Sequence, residues 1–193
     1  MTRPHDEVEA NFFIERINEM YKHDPKTYEK YFGDKTIVEI KDQAIVNTPK
    51  PKKKFKLGKK SKRELIGVHP YLSFAVYKAI ERVEYDFGVF DGLRTKKEQE
   101  KLVDRGWSKT KDSYHLYGLA VDLVPYLDGQ YRWTIQQHED TKKAFENIHT
   151  VMKSIIEEYD LPIENGWDLW HWDKPHWQMT GWKNKYDYRK FKY

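Results

Sequence analysis

The stretch "DSYHLYGLAVDLVPY", residues 112–126, constrains this chain more than any other. Residues 119–124 read as a short buried strand, yet Asp122 interrupts the apolar run between Val121 and Leu123. A carboxylate is seldom buried unless it is paired or binds a metal, because ions lose a large hydration energy in an apolar interior. The fold must therefore bring Asp122 a partner. His115 stands seven residues earlier, and Gly118 between them lets the chain turn so that both side chains reach one point.

Composition narrows the partner. The 193 residues contain no cysteine, so disulfides and thiolate metal sites are excluded and a metal centre must use His, Asp or Glu. Near the C-terminus "HWDKPHWQ" (171–178) offers His176, and Pro175 biases Lys174 to an extended conformation, presenting His176 at the start of a strand. Small Ala120 leaves room beside an ion. Two histidines, a carboxylate and an open fourth position form the pattern of a catalytic zinc, one ion per chain. Asp173, three residues before His176, is spaced to reach a zinc-bound water without binding the ion. The pKa of that water would lie near about 7. Asp173 is then the expected general base, passing the proton on to a leaving amine. Arg94, at the end of the strand that begins near Tyr85, carries a permanent charge suited to a carbonyl oxygen becoming an oxyanion.

The remaining pattern predicts an α+β protein: a small, mainly antiparallel sheet flanked by helices, without regular βαβ alternation. Helices are expected over 6–22, after Pro25 up to Gly33, after a Ser61/Glu64 capping box, after a Thr95/Glu98 capping box until Gly106, and over 139–159. Leu72, Val76, Ala79, Ile80 and Val83 form one helical stripe, and His69 before Pro70 helps start that helix. Strands are expected at 36–40, 85–92, 119–124 and "HWQM". The loop "YLDGQYRWTIQQ" matches no motif. Aromatic residues make up 16% of the chain and compensate for an apolar content of 38%. Five of seven tryptophans fall between 167 and 182, where packing around the metal strand is the expected role. His171 alternates with Asp173, which makes it a support behind the ligands or a substrate contact, or simply a member of the aromatic cluster. His138 and His149 read as helix-surface residues. Gln99, Lys109 and Thr110 acquire no role.

Residues 50–63, "KPKKKFKLGKKSKR", hold nine positive charges, so of a net +4 the rest of the chain carries −5 (4 − 9). Two prolines and this charge run predict a basic linker over 48–60, between an N-terminal helical extension (1–47) and a domain over 61–182, followed by a tail (183–193). The run reads as a solvated linker, or as a tether to anionic wall polymer or phospholipid headgroups. No motif supports nucleic-acid binding. No signal region or membrane-length apolar run is visible, so the chain is expected to be made soluble in the cytoplasm.

The run Ser-x-His-x-x-Gly-x-Ala-x-Asp (113–122), followed by Asp-x-Pro-His (173–176), together with "DGLRTKKEQ" and "GWDLWHWDKPHWQM", resembles the zinc peptidases of the D-alanyl-D-alanine carboxypeptidase and L-alanyl-D-glutamate endopeptidase group, which share a fold with the hedgehog signalling domain. Phage endolysins of the L-alanyl-D-glutamate type look most similar, over roughly residues 55–180. The resemblance implies zinc ligands His115, Asp122 and His176, Asp173 as base, and Arg94 facing the substrate carbonyl. It places Ser113 beside the site, supporting the loop or the substrate. Aspartate at 173 favours the endolysin branch, since carboxypeptidase and dipeptidase relatives usually carry glutamate. The implied enzyme cuts peptidoglycan stem peptides between L-alanine and D-glutamate, and the chain is expected to be a monomer. It waits inside the host cell until the membrane is permeabilised. A D-Ala-D-Ala carboxypeptidase or dipeptidase on the same scaffold and a non-catalytic zinc-containing wall-binding module are the rival readings.

Overall fold

A computed structural model of the chain describes residues 55–134 and 139–180. The chain divides between Pro51 and Lys52, and the second unit is the one described. The elements expected over 6–40, His138, Trp182 and the tail 183–193 lie outside the described residues.

The elements are α1 (Lys59–Glu64), α2 (Pro70–Arg82), β1 (Phe87–Asp91), α3 (Lys96–Asp104), a 3₁₀ turn (Tyr114–Tyr117), β2 (Ala120–Leu127), β3 (Gln130–Tyr131), α4 (Glu139–Glu158), β4 (Ile163–Asn165), α5 (Gly166–Trp170) and β5 (His176–Met179). The strands run antiparallel in the order β1-β2-β5-β4, with β3 paired to the far end of β2. This is the expected α+β architecture.

Local chemistry explains most boundaries. His69 caps α2, its Nδ1 accepting from the Tyr71 N–H at 3.1 Å, with Pro70 following it where a missing N–H is harmless. The Thr95/Glu98 capping box opens α3 as expected. The Ser61/Glu64 box does not form. Helix α1 starts at Lys59 behind Gly58, and Ser61 turns inward to accept from the Val89 N–H at 3.1 Å. A buried strand N–H costs more to leave unpaired than one at a solvated helix start. The first part of the unmatched loop, 126–131, is a hairpin, with Asp128 and Gly129 both left-handed (φ 51 and 78) as a type I′ turn requires. The Asp-Gly pair was its available signal.

Sheet register separates core from site. Val121 lies opposite Trp177, whereas Asp122 lies opposite His176 and Ala120 opposite Gln178. With side chains alternating between faces, Val121, Leu123, Trp177 and Met179 point one way and are buried. Ile148, Met152 and Ile155 of α4 and Leu72, Val76 and Ala79 of α2 are buried too, and His149 of α4 packs against Trp177. Asp122, His176 and Gln178 occupy the opposite face. A one-residue slip between β2 and β5 would exchange the two sets.

Candidate metal centre

Each of the three candidate side chains is delivered by a different local device. His115 sits in the 3₁₀ turn, whose first N–H groups are capped by Ser113, with Ser113 Oγ accepting from the His115 N–H at 3.4 Å. Gly118 ends the turn in the left-handed region (φ 66), a conformation a side chain would strain. The carbonyl of Gly118 accepts from the His69 N–H at 2.7 Å, and that of His115 from the Arg94 N–H at 3.0 Å, so the turn is tied to α2 and to the end of β1. Asp122 and His176 face each other across the β2–β5 ladder.

The ring nitrogens are assigned by their outer partners. His115 Nδ1 lies 2.7 Å from the Gly92 carbonyl and must donate to it, leaving Nε2 as the bare nitrogen. Gly92 can be nothing larger, because a Cβ there would meet the Glu64 carbonyl oxygen. His176 is the mirror case: Nε2 donates to Gln178 Oε1 at 3.0 Å, leaving Nδ1 bare, and Gln178 Nε2 donates to Glu164 Oε1 at 2.7 Å. The chain Glu164–Gln178–His176 was missed in the sequence. Its signal was the i, i+2 spacing of Gln178 from His176 on one strand face. Asn165 adds to it, donating to the His176 carbonyl at 2.7 Å.

The bare atoms converge. His115 Nε2 and His176 Nδ1 are 3.2 Å apart, His115 Nε2 and Asp122 Oδ1 3.3 Å, and His176 Nδ1 and Asp122 Oδ1 3.2 Å. All three residues are buried, and they form the one such group among the described residues. Around a tetrahedral zinc with bonds of about 2.0–2.1 Å, ligand atoms stand roughly 3.3–3.4 Å apart. Donor chemistry and spacing both suit that ion. The second carboxylate oxygen of Asp122 accepts from Arg94 at 2.5 Å, and the same guanidinium reaches Asp91 Oδ2 at 2.9 Å and Gln99 Oε1 at 3.3 Å. A bulge after Val89 skips Phe90 and sets Asp91 beside Asp122, where Arg94 bridges them.

Protonation follows burial and charge. Burial opposes the charge of Asp122, but His115, His176 and Arg94 outweigh it and hold its carboxyl well below the usual range. Burial lowers His115, partly offset by Asp122. Burial also opposes charge on His176, yet the hydrogen bond and charge of Asp122 raise it above its ordinary value.

Asp173 lies outside this triangle. Gly166 lets its backbone approach closely, since a Cβ there would meet the Asp173 carbonyl at 2.7 Å. Its carboxylate is half-buried and makes no hydrogen bond to the described residues, although it interacts electrostatically with His176 and Asp122. Burial raises its pKa, Asp122 adds to the rise, and His176, Arg94 and Lys109 oppose it. His171 caps α5 in the left-handed region (φ 63) and is exposed. His149 is no bare surface residue: it pairs with Asp168 at 2.9 Å and packs on Trp167 and Trp177. Of the described tryptophans in this cluster, Trp177 packs in the core as expected, but Trp170 and Trp172 stay 42% and 55% exposed, stacked on each other beside His176.

A sequence profile described as phage L-alanyl-D-glutamate peptidase matches residues 53–179. The chain belongs to this family. Among relatives of this phage peptidase, the L-alanyl-D-glutamate peptidase of Escherichia phage T5 is 36% identical over 96 residues, 48% of this chain and 70% of the relative. The fold is similar to the crystal structure of the Serratia marcescens L-Ala D-Glu endopeptidase ChiX, with a TM-score of 0.56 and 29% identity over 66% of this chain and 92% of that one.

Proposed function

We propose that this L-alanyl-D-glutamate peptidase is a zinc enzyme of lysis, an endolysin that cuts peptidoglycan stem peptides. The observation that carries the reading is the triangle of bare ligand atoms on His115, Asp122 and His176, with spacings of 3.2–3.3 Å, set beside an acid that has no hydrogen-bond partner among the described residues.

Bound there, zinc supplies Lewis acidity toward oxygen. The chain's own groups do the rest. Asp173, whose carboxylate has no hydrogen-bond partner among the described residues, takes a proton from the attacking water and returns it to the departing amine nitrogen of D-glutamate. Arg94 offers a fixed positive charge where negative charge develops on the carbonyl oxygen. Its bonds to Asp91 and Asp122 hold that charge in place. Ser113 keeps the His115 turn in shape. His171, exposed at the end of α5, is assigned a substrate contact. Residues 61–182 are assigned to catalysis and the basic run 50–63 to salt-sensitive attachment to anionic wall polymer or headgroups. Among the described residues no helix is long and apolar enough to cross a membrane, which fits action on the wall after another factor opens the membrane.

Digestion of purified peptidoglycan with and without chelator, with mass spectrometry of the new amino termini, tests the reading. New D-glutamyl termini that vanish with chelator are expected. Release of terminal D-alanine alone would instead favour the carboxypeptidase alternative.

A further inference from the structure

Gln99, Lys109 and Thr110 are unexplained by sequence, and the structure joins them. Gln99 is fully buried on α3. Its Oε1 accepts from Arg94, while its Nε2 donates to Ser108 Oγ at 2.8 Å and to the Thr110 carbonyl at 2.7 Å. One amide therefore ties the guanidinium that grips Asp122 to the residues on both sides of Lys109. Ser108 Oγ closes the turn by donating to the same carbonyl at 3.2 Å.

Lys109 is exposed on this braced loop, its Nζ 4.2 Å from the centroid of the Trp172 ring. Trp172 stacks on Trp170 at 6.1 Å, and Trp170 lies 5.8 Å from His176. The aromatic shelf thus runs from the lysine to a metal ligand. Lys109 makes no ion pair with the described residues. An ammonium over an exposed ring gains less than is lost in ordering a lysine side chain. Stability does not account for the arrangement, but a prepositioned cation for a ligand does.

The reaction supplies the ligand chemistry. Glutamate has two carboxyl groups, and continuing the peptide consumes at most one. A substrate cleaved at the glutamyl nitrogen therefore carries a free carboxylate within a few bonds of the scissile amide.

We propose that Lys109, held over Trp172 on the loop braced by Gln99, binds the free carboxylate of the substrate's glutamyl residue, with Trp170 and Trp172 as the floor beneath it. This rests on the L-alanyl-D-glutamate reading of the site. It makes Lys109 a specificity contact that distinguishes an acidic stem peptide from an amidated one.

The test uses the zinc-loaded full chain and two synthetic stem peptides, identical except that the free glutamyl carboxylate of one is a primary amide in the other. Lys109→Gln is expected to raise KM about 10-fold more for the acidic peptide than for the amide, the scale of one hydrogen bond to a charged group, while the effect of the lost charge on Asp173 falls on kcat for both peptides alike. Lys109→Arg is expected to restore discrimination. Added salt should weaken the unaltered enzyme on the acidic peptide only. An equal rise in KM on both peptides, or no rise on the acidic one, overturns the assignment while the peptidase reading stands. If the unaltered chain cleaves neither peptide, that reading falls and takes this one with it.

Discussion

Replacing Gln178 with leucine tests whether the strand partner of His176 tunes the metal site. The side chains are close in volume, so packing changes little, and residue 178 is 5% exposed. The substitution removes the acceptor 3.0 Å from His176 Nε2 and the donor 2.7 Å from Glu164 Oε1. Leaving the buried imidazole N–H unpaired costs about 1–3 kcal/mol, and the ring loses the contact that keeps Nδ1 turned toward His115 and Asp122. Outer partners of metal-bound histidines typically contribute 10- to 100-fold in affinity, so a rise of roughly 30-fold in the zinc Kd is expected. Competition against a chelator of known affinity measures it. The pair Gln178→Glu with Glu164→Gln reverses the direction of the bond between these two residues but keeps an acceptor for His176. It should bind zinc at least as tightly as the unaltered protein. If Gln178→Leu remains folded and binds zinc within about twofold of the original, the tautomer argument is wrong.

Three further outcomes are expected. Asp173→Ala should keep one zinc per chain and lose at least about 10²-fold in kcat; unchanged hydrolysis would remove Asp173 from the base role. Arg94→Ala should lower kcat by roughly 10²–10³, and a loss confined to KM would make it a uniform binding contact. His69 is fully buried, and burial lowers its pKa from 6.5 to about 3. Its unfolded form thus binds a proton that its folded form refuses, so its stabilising contribution is complete above pH 6.5 and falls as the solution is acidified toward 3. At pH 5 the loss is about 2 kcal/mol relative to pH 8. In His69→Asn, which keeps a capping acceptor, urea denaturation should show the gap between pH 8 and pH 5 narrowed by about that amount. An unchanged gap would refute the neutral buried imidazole.

The His115, Asp122 and His176 group that could hold a metal was legible in the residues themselves, because metal chemistry admits few donor types and the chain has no cysteine. His115, Asp122 and His176 could be selected from local spacing, an offending carboxylate in an apolar strand and a proline that extends the backbone. Helices α2, α3 and α4 were legible for a similar reason: capping residues and apolar stripes act within a few turns. Ser61 misled because the cap it promises is local, while the bond it makes is to Val89, 28 residues away. The short strand β4 and helix α5 left too few residues for any periodicity to show.

Orientation and outer support were settled by the assembled sheet. Nothing near His115 in the chain identifies the Gly92 carbonyl as its anchor, and nothing near Arg94 says that its charge bridges Asp91 and Asp122. These contacts span 23 and 28 residues. They exist only once the β1–β2–β5 register and the bulge after Val89 bring distant backbone together. Side-chain chemistry is carried residue by residue and can be read in order. Which nitrogen is bare, which acid has no hydrogen-bond partner among the described residues and which lysine lies over Trp172 depend on where the backbone crosses itself, because each is a distance between strands and loops far apart along the chain.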